Sequence, residues 1–285
     1  TGFVHTGLQA DQTYYYALFP YQFNGTSWEY GAPVLFAGNT ACAVKALPIE
    51  ESFTSTTYPP LGWRLQDGGP NGSLVADGKT WRRLQLAGSS AGDDISVLMN
   101  AYTQNGNNSK ETLRTAAFTM PNASVADSVI VLFDYAYRAY APDADLADSL
   151  EVAYSLDCGT TYQTLWKAGG AGLASVPGFS TAEFVPFNLS DWASKQLKLP
   201  ANIPAGATVS IGFIGTNKFG QNLWLDNIRV RMVERNKADL SLPGLAATTD
   251  TVLCSTIFTP RILLRNNGAA MLQSAQIVLL QNGQR

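Results

Sequence analysis

Between Cys42 and Glu234 the chain is cut at short intervals by turn clusters: DGGPNG, QNGNN, APDAD, DCGTT, LPANIPAG and KFGQN. Glycine, proline, asparagine and aspartate supply the backbone angles that tight turns need, so each cluster closes one extended segment and opens the next. The segments between them carry the period of strands. In SLEVAYSL, Leu150, Val152, Tyr154 and Leu156 share one face at a period of two. VIVLFDYAY is apolar on both faces, as expected of a strand held between two layers. Only LSDWASKQL, Leu189 to Leu197, has the pattern of a short helical turn. Many strands at short spacing with so little helix predict an all-β fold, a β-sandwich of jelly-roll type.

The flanks read differently. Residues 1–41 predict two or three strands, with an aromatic run Tyr14–Phe19 and a strong turn at Asn24–Gly25. The jelly roll is expected over 42–235. After Arg235 a polar linker, NKADLSLPGL, leads into two strand patterns flanking Asn266, Asn267 and Gly268, so 236–285 is expected to open a further module. Both ends of the chain read as cut within a module, which predicts a region of a larger protein.

Composition narrows the function. Apolar residues make up 46% and charged residues only 14%, enough to build a core but poor in surface charge. The net charge is -3 with no Lys/Arg-rich run, which argues against nucleic acid and anionic membrane as partners. No apolar run approaches the ~18 residues of a membrane span. Cys42, Cys158 and Cys254 lie far apart without a C-x-x-C, so the usual zinc spacing is missing. The single histidine, His5, has no second imidazole to share a metal and no H-E-x-x-H around it.

Nucleophile patterns are weak. GSSAG, residues 88–92, matches G-x-S-x-G, but that motif needs a strand-to-helix turn and a histidine to take the serine proton. No helical pattern follows, and His5 belongs to another segment. Cys158 would need a cation or histidine to stabilise its thiolate, whereas Asp157 beside it raises the thiol pKa. Half of a disulfide is the better account of it. Cys158 with Cys254 is the candidate pair, and Cys42 is the alternative partner.

Strand parity points to carboxylates instead. In NLWLDNIRVRMV, Trp224, Asp226, Ile228, Val230 and Met232 share the apolar face, which places Asp226 inward. In PIEESF, Ile49, Glu51 and Phe53 share parity, which places Glu51 inward as well. A buried carboxylate is costly unless paired, hydrogen-bonded or bound to metal. These two acids sit on the first and last strands of the middle domain, which commonly lie side by side in a jelly roll. A structural Ca²⁺ held by Glu51 and Asp226, with Asp134 as a third candidate, is the sharper expectation. Separate acids capping loop amides are the plainer one. The acidic run with Asp143, Asp145, Asp148 and Glu151 reads as a solvated loop, with calcium again the alternative.

Several segments, in order, resemble one family: ESFTSTTYPPLGW (51–63), KTWRRL (79–84), ETLRTAAF (111–118), FDYAYRAY (133–140), DSLEVAYSLDCGTTYQTLWKAGG (148–170) and FGQNLWLDNIRV (219–230). Together they look like the choice-of-anchor J or cleaved-adhesin jelly-roll domain, a relative of MAM domains found in secreted and surface proteins of Bacteroidetes-type bacteria. The resemblance implies a non-catalytic, often calcium-stabilised β-sandwich within a multi-domain exported protein. Its early acid falls on Glu51 and its late Asp-Asn pair on Asp226 and Asn227. The chain departs from it at Glu111, where the family has Asp, and at Thr54, where an acid is common. Residues 1–41 resemble the closing strands of a fibronectin type III module, and 236–285 the opening of an immunoglobulin-like adhesion module.

The expected role is adhesion or accessory binding at the bacterial cell surface or outside it, with an extracellular protein or glycan as ligand. Export machinery and the other domains of the parent chain would be its remaining partners. The alternative is a carbohydrate-binding module of a secreted polysaccharide-degrading enzyme or protease, with Trp63, Tyr140, Trp166 and Phe219 stacking on sugars. Finally, Ser155 to Tyr162 resembles an Asp-box, S-x-D-x-G-x-T-W with Tyr for Trp. In such a turn Asp157 accepts turn N–H groups and Gly159 takes a positive φ.

Overall fold

The computed structural model describes residues 3–10, 12–68, 78–104, 108–142, 147–234, 240–245, 262–266, 271 and 274. An outlying ribbon comes first. Strand β1 (Thr13–Leu18) pairs with β4 (Val34–Asn39), and β2 (Tyr21–Phe23) with β3 (Trp28–Tyr30), in two nested antiparallel hairpins. Asn24 makes the inner turn, its side-chain oxygen accepting the backbone N–H of Thr26 and of Ser27.

The body is two packed antiparallel sheets. Their strands are β5 (Ile49–Glu51), β6 (Arg64–Gln66), β7 (Arg82–Gln85), β8 (Ile95–Met99), β9 (Ser109–Arg114), β10 (Phe118–Thr119), β11 (Ala126–Tyr137), β12 (Ser149–Ser155), β13 (Gln163–Gly169), β14 (Ala193–Lys198), β15 (Thr208–Asn217) and β16 (Leu223–Glu234). One sheet runs β13-β12-β15-β9-β6, with β10 also on β15. The other runs β14-β11-β16-β8-β7, with β5 on β16. Neighbours distant in sequence, such as β12 beside β15 and β5 beside β16, are the crossovers of a jelly roll. The segment that suggested a helical turn forms a single 3-10 turn, Leu189–Asp191, before β14. A further antiparallel pair, β17 (Leu240–Leu245) with β18 (Ile262–Asn266), follows the body.

The core lies between the sheets. Leu150, Val152 and Tyr154 of β12 face Val129, Val131, Phe133 and Tyr137 of β11, with Trp63, Trp81, Phe213, Leu223 and Leu225 around them. Phe133 and Phe213, from opposite sheets, meet edge to face at 5.2 Å between ring centres. Each such side chain stabilises the fold by roughly 1.5–3 kcal/mol on burial. A second, smaller cluster covers the outer side of the β11–β16 sheet, where Leu98, Ala136 and Trp224 meet Ala87 and Phe184 from loops. On β11 one face of VIVLFDYAY meets the opposite sheet, and on the other Ala136 meets that loop layer.

The ladder between β11 and β16 is irregular at one point that bears on the buried acids. Leu132 pairs with Arg229 and Asp134 with Asp226, so β11 passes one residue between these pairs and β16 passes two. The extra residue makes a β-bulge at Asn227, whose φ is 47°. Asparagine tolerates this left-handed region better than most residues.

Candidate functional site

The bulge reverses the side on which β16 shows its residues. Leu223 and Leu225 point into the core, and so do Ile228 and Val230 beyond the bulge. Trp224 and Asp226, before it, point to the outer layer. Strict alternation puts Asp226 on one face with Ile228 and Val230. That expectation fails because a period of two holds only while the ladder is regular.

Asp226 is fully buried all the same. Its Oδ2 accepts the backbone N–H of Ser89 at 2.8 Å, and its Oδ1 that of Asn227 at 2.6 Å. Opposite it, Asp134 accepts the Ser89 hydroxyl at 2.8 Å, the Ser194 hydroxyl at 2.6 Å and the Asn227 amide at 3.1 Å. Burial, with a smaller push from the nearby Asp93 charge, raises the Asp226 carboxyl to about 6 against the pull of its Ser89 and Asn227 hydrogen bonds. The GSSAG loop therefore anchors this corner. Ser89 is a structural bridge between two carboxylates, and no imidazole is hydrogen-bonded to it among the described residues.

Glu51 lies elsewhere. It is the cross-strand partner of the core residue Ile228, on the opposite side of β16 from Asp226, and its Oε1 accepts the N–H of Phe53 at 2.6 Å. Arg83 caps the same turn by donating to the Phe53 carbonyl. The structure thus brings Asp134 and Asp226 together and leaves Glu51 apart, so the three do not fit one calcium centre. Among the described residues no three His, Cys, Asp or Glu side chains are grouped to hold a metal ion. Asp134 and Asp226, with the hydroxyls of Ser89, Ser90 and Ser194, do offer the hard oxygen donors that calcium takes.

Asp148 departs furthest from expectation. Expected in a solvated loop, it is fully buried. It accepts the backbone N–H groups of Lys218, Gly220 and Gln221 and the hydroxyl of Tyr137, clamping the turn between β15 and β16. Burial raises its carboxyl to about 6 although all four hydrogen bonds pull it down. Asp148 has the parity of Leu150, Val152 and Tyr154, so the alternation of SLEVAYSL, extended two residues back, marks it as inward. Asp143 and Asp145 lie outside the described residues.

The turn between β12 and β13 is a clasp centred on Asp157. Its Oδ1 accepts the Thr161 N–H at 2.8 Å and its Oδ2 the Thr161 hydroxyl at 2.6 Å. Ser155 donates its hydroxyl to the same carboxylate and accepts the N–H of Gly159. Burial opposes ionisation of Asp157, but these hydrogen bonds outweigh it and hold the carboxyl below its ordinary range. Cys158 and Gly159 both have positive φ, 60° and 83°. Cys158 is disulfide-bonded to Cys42. The Cys158–Cys254 pairing is therefore corrected: the bridge ties the clasp to the start of the sandwich, and Cys254 lies outside the described residues.

An open cavity of about 530 Å³ borders this disulfide. Gln12, Thr40 and Ala41 line it on the ribbon side, Arg64, Leu65, Gln66 and Arg114 on the sheet, and Asp157 to Thr160 on the clasp. Arg64 and Arg114 are directly opposed on β6 and β9, on the outer face, since Leu65 and Leu113 between them pack inward. Sequence reasoning singled out neither arginine, because nothing local announces that two strands about fifty residues apart are neighbours.

The proposed sugar-stacking residues divide. Trp63 is buried in the core at 1% exposure and is unable to stack on a ligand. Tyr140 and Trp166 are half-buried, and the Lys195 ammonium sits 4.7 Å from the Trp166 ring centre. Phe219 is exposed. None of the four lines the cavity by the disulfide. His5 hydrogen-bonds the Tyr16 hydroxyl in the ribbon.

No family model matches this chain. No curated protein matches it either. Among solved structures, a cleaved adhesin domain of Lys-gingipain is 21% identical, with 65% of this chain and 99% of that one covered at a TM-score of 0.41. Another, from Porphyromonas gingivalis, is 17% identical, with 65% and 97% covered at 0.41. A family 11 carbohydrate-binding module from Clostridium thermocellum, solved with a β-1,3-1,4-mixed-linked tetrasaccharide, is 12% identical, with 64% and 95% covered at 0.33. The jelly-roll assignment rests on the chain's own strand order and register. No helix among the described residues is long and apolar enough to cross a membrane.

Proposed function

We propose that this chain is a non-catalytic binding region of a larger exported protein, serving adhesion or accessory ligand capture. The observation that carries the reading is the 530 Å³ cavity by the disulfide: it is open, lined by polar and apolar groups together, and its described lining holds neither a thiolate nor a serine–imidazole pair. The sequence's candidate nucleophiles are engaged structurally, Cys158 in a disulfide and Ser90, the serine of the G-x-S-x-G pattern, by accepting the Asn227 amide. A cystine bridging 116 residues also suits an oxidising compartment, which supports export to the cell surface or beyond. In this reading 1–41 and 236–285 belong to fibronectin-like and immunoglobulin-like neighbours of the central domain, as in a bacterial surface protein of several modules.

A carbohydrate-binding module of a secreted enzyme is the second reading, favoured by the mixed polar and apolar lining of the cavity, which suits a ligand with both hydroxyls and an apolar ring face. A glycan array combined with an assay for released reducing ends tests both. Captured glycan without cleavage supports a binding region, whereas turnover by the purified chain would overturn it.

Calcium enters this proposal only at the Asp134–Asp226 pair, supported by its oxygen-only donors. A chelator that lowers the melting temperature, with the effect lost in Asp226→Ala, supports the ion. An unchanged melt rejects it.

A further inference from the structure

Over the outer loop layer, an open groove of about 330 Å³ lies between the 86–94 loop and the residues that lead into the 3-10 turn Leu189–Asp191. It shares no described lining residue with the cavity by the Cys42–Cys158 bridge. Leu86, Phe187 and Leu189 line it, exposed at 57%, 86% and 52%. Apolar residues scattered singly over a surface mean little, but three gathered around one concavity mark an interaction surface.

Both walls are braced. Ser96 donates to the Ala87 carbonyl and the Ser90 hydroxyl accepts from the Asn227 amide, so the loop is tied at two points besides the Ser89 bridge. Across the groove, the backbone N–H groups of Phe187 and Asn188 both donate to Asp191 Oδ2 at 2.9 Å. Beneath it, Ala87 and Phe184 pack in one cluster with Trp224. Phe187 is therefore displayed to solvent by a fixed backbone, and a surface held ready in this way loses less conformational entropy on binding. Asp93 and Asp94 give the groove its charge, and no cation lines it among the described residues. Asp93 Oδ1 accepts the Ile95 N–H and Asp94 Oδ2 the Gln85 amide, so each keeps its other oxygen for a partner. Neither enters an ion pair among the described residues.

We propose that this groove docks a short peptide segment of a partner protein, its apolar side chains seated against Leu86, Phe187 and Leu189 and a neighbouring Lys or Arg paired with Asp93 and Asp94. Charge complementarity selects the cation, and the apolar rim selects what stands beside it. Phe187 is the one aromatic ring in the described lining, and the two leucines make no flat platform for a sugar, which argues for a peptide over a glycan. A symmetric contact between two copies would set these acids against each other, which argues against self-association. The volume lies at the lower end of the roughly 300–1,000 Å³ of ligand sites, suiting a few side chains rather than a folded face. The inference adds a second surface to the one by the disulfide and does not depend on what that cavity binds.

Fluorescence anisotropy of the full chain with labelled peptides of equal length tests it. One peptide alternates leucine with lysine, a second has glutamate for lysine, and a third has serine for leucine. A glucosamine oligomer of matching charge is the saccharide probe. The leucine–lysine peptide should bind, weakening as salt rises, with every other probe at least about tenfold weaker. Phe187→Ala should weaken its binding about fivefold or more, because a large apolar contact is lost. Asp93→Asn combined with Asp94→Asn keeps the acceptor oxygens without the charge and should cost about tenfold. Both variants should stay folded by circular dichroism, since Phe187 is exposed and asparagine can still accept the Ile95 N–H. Equal binding of any other probe, an unaffected variant, or no binding of the leucine–lysine peptide would each overturn the proposal. Self-association that is lost in Phe187→Ala, followed by sedimentation, would overturn it in favour of a second copy. Glycan capture by the disulfide cavity should be the same in Phe187→Ala, so the two surfaces fail separately.

Discussion

Asp134 and Asp226 face each other across β11 and β16, and Ser89 joins them by giving its hydroxyl to the first and its backbone N–H to the second. Carboxylates on directly opposed strand positions repel when both are ionised. The bridge, together with Asn227, turns the repulsion into a hydrogen-bonded corner that pins the 86–94 loop to the sheet.

Replacing Ser89 by alanine removes the one hydroxyl that donates to Asp134 and accepts from Asn227. We expect a loss of about 0.5–1.5 kcal/mol, since the half-buried Asp134 carboxylate loses one donor while Asp226 keeps the backbone N–H of residue 89. Urea unfolding of wild type and variant measures it, and identical midpoints would show that the bridge contributes nothing.

Stability should depend on pH through two buried acids. Asp148 and Asp226 are both raised from 3.8 to about 6. Between these values the folded state binds more protons than the unfolded chain, so stability falls as pH rises. Their contribution is fully present below about 3.8 and is lost as pH rises through about 6. Melting temperatures at about pH 5 and about pH 7.5 should therefore favour the lower pH. Asp148→Asn should flatten the difference, and a melt that is higher at the upper pH contradicts the assignment.

Gly159→Ala is expected to be costly for two reasons. Its φ of 83° favours glycine over residues with a Cβ, a preference of about 1–2 kcal/mol. The added Cβ also meets Arg114 and Tyr162 at 2.7 Å, and overpacking of this kind costs about 1–3 kcal/mol more. A destabilisation under about 1 kcal/mol in chemical denaturation would mean that the clasp gives way freely.

Reduction of Cys42–Cys158 opens a covalent link across 116 residues. Loop-closure entropy then favours unfolding, and a loss of about 2–5 kcal/mol is typical for such a bridge. The melt in reductant should match that of Cys42→Ser, and peptide mapping of the oxidised chain should recover Cys42 linked to Cys158. A Cys158–Cys254 peptide would refute the pairing.

The all-β class, the strand run from 49 to 234, the two-faced β11 and the Asp157 turn were legible in the chain because each follows from neighbours in sequence: a period of two, a cluster of turn formers, a glycine where φ must be positive. Even Asp148 carried its signal in the parity of SLEVAYSL. Tertiary structure decided the rest. Asp226 changed sides because a single bulged residue, Asn227, breaks the period on which parity depends, and a bulge is set by pairing with β11. Cys158 found Cys42 rather than Cys254, and Arg64 came to face Arg114, because strand order brings together residues that no local pattern connects. Turn propensity and hydrophobic alternation are short-range and leave their mark along the chain; contacts across a sheet are fixed only when the whole core closes.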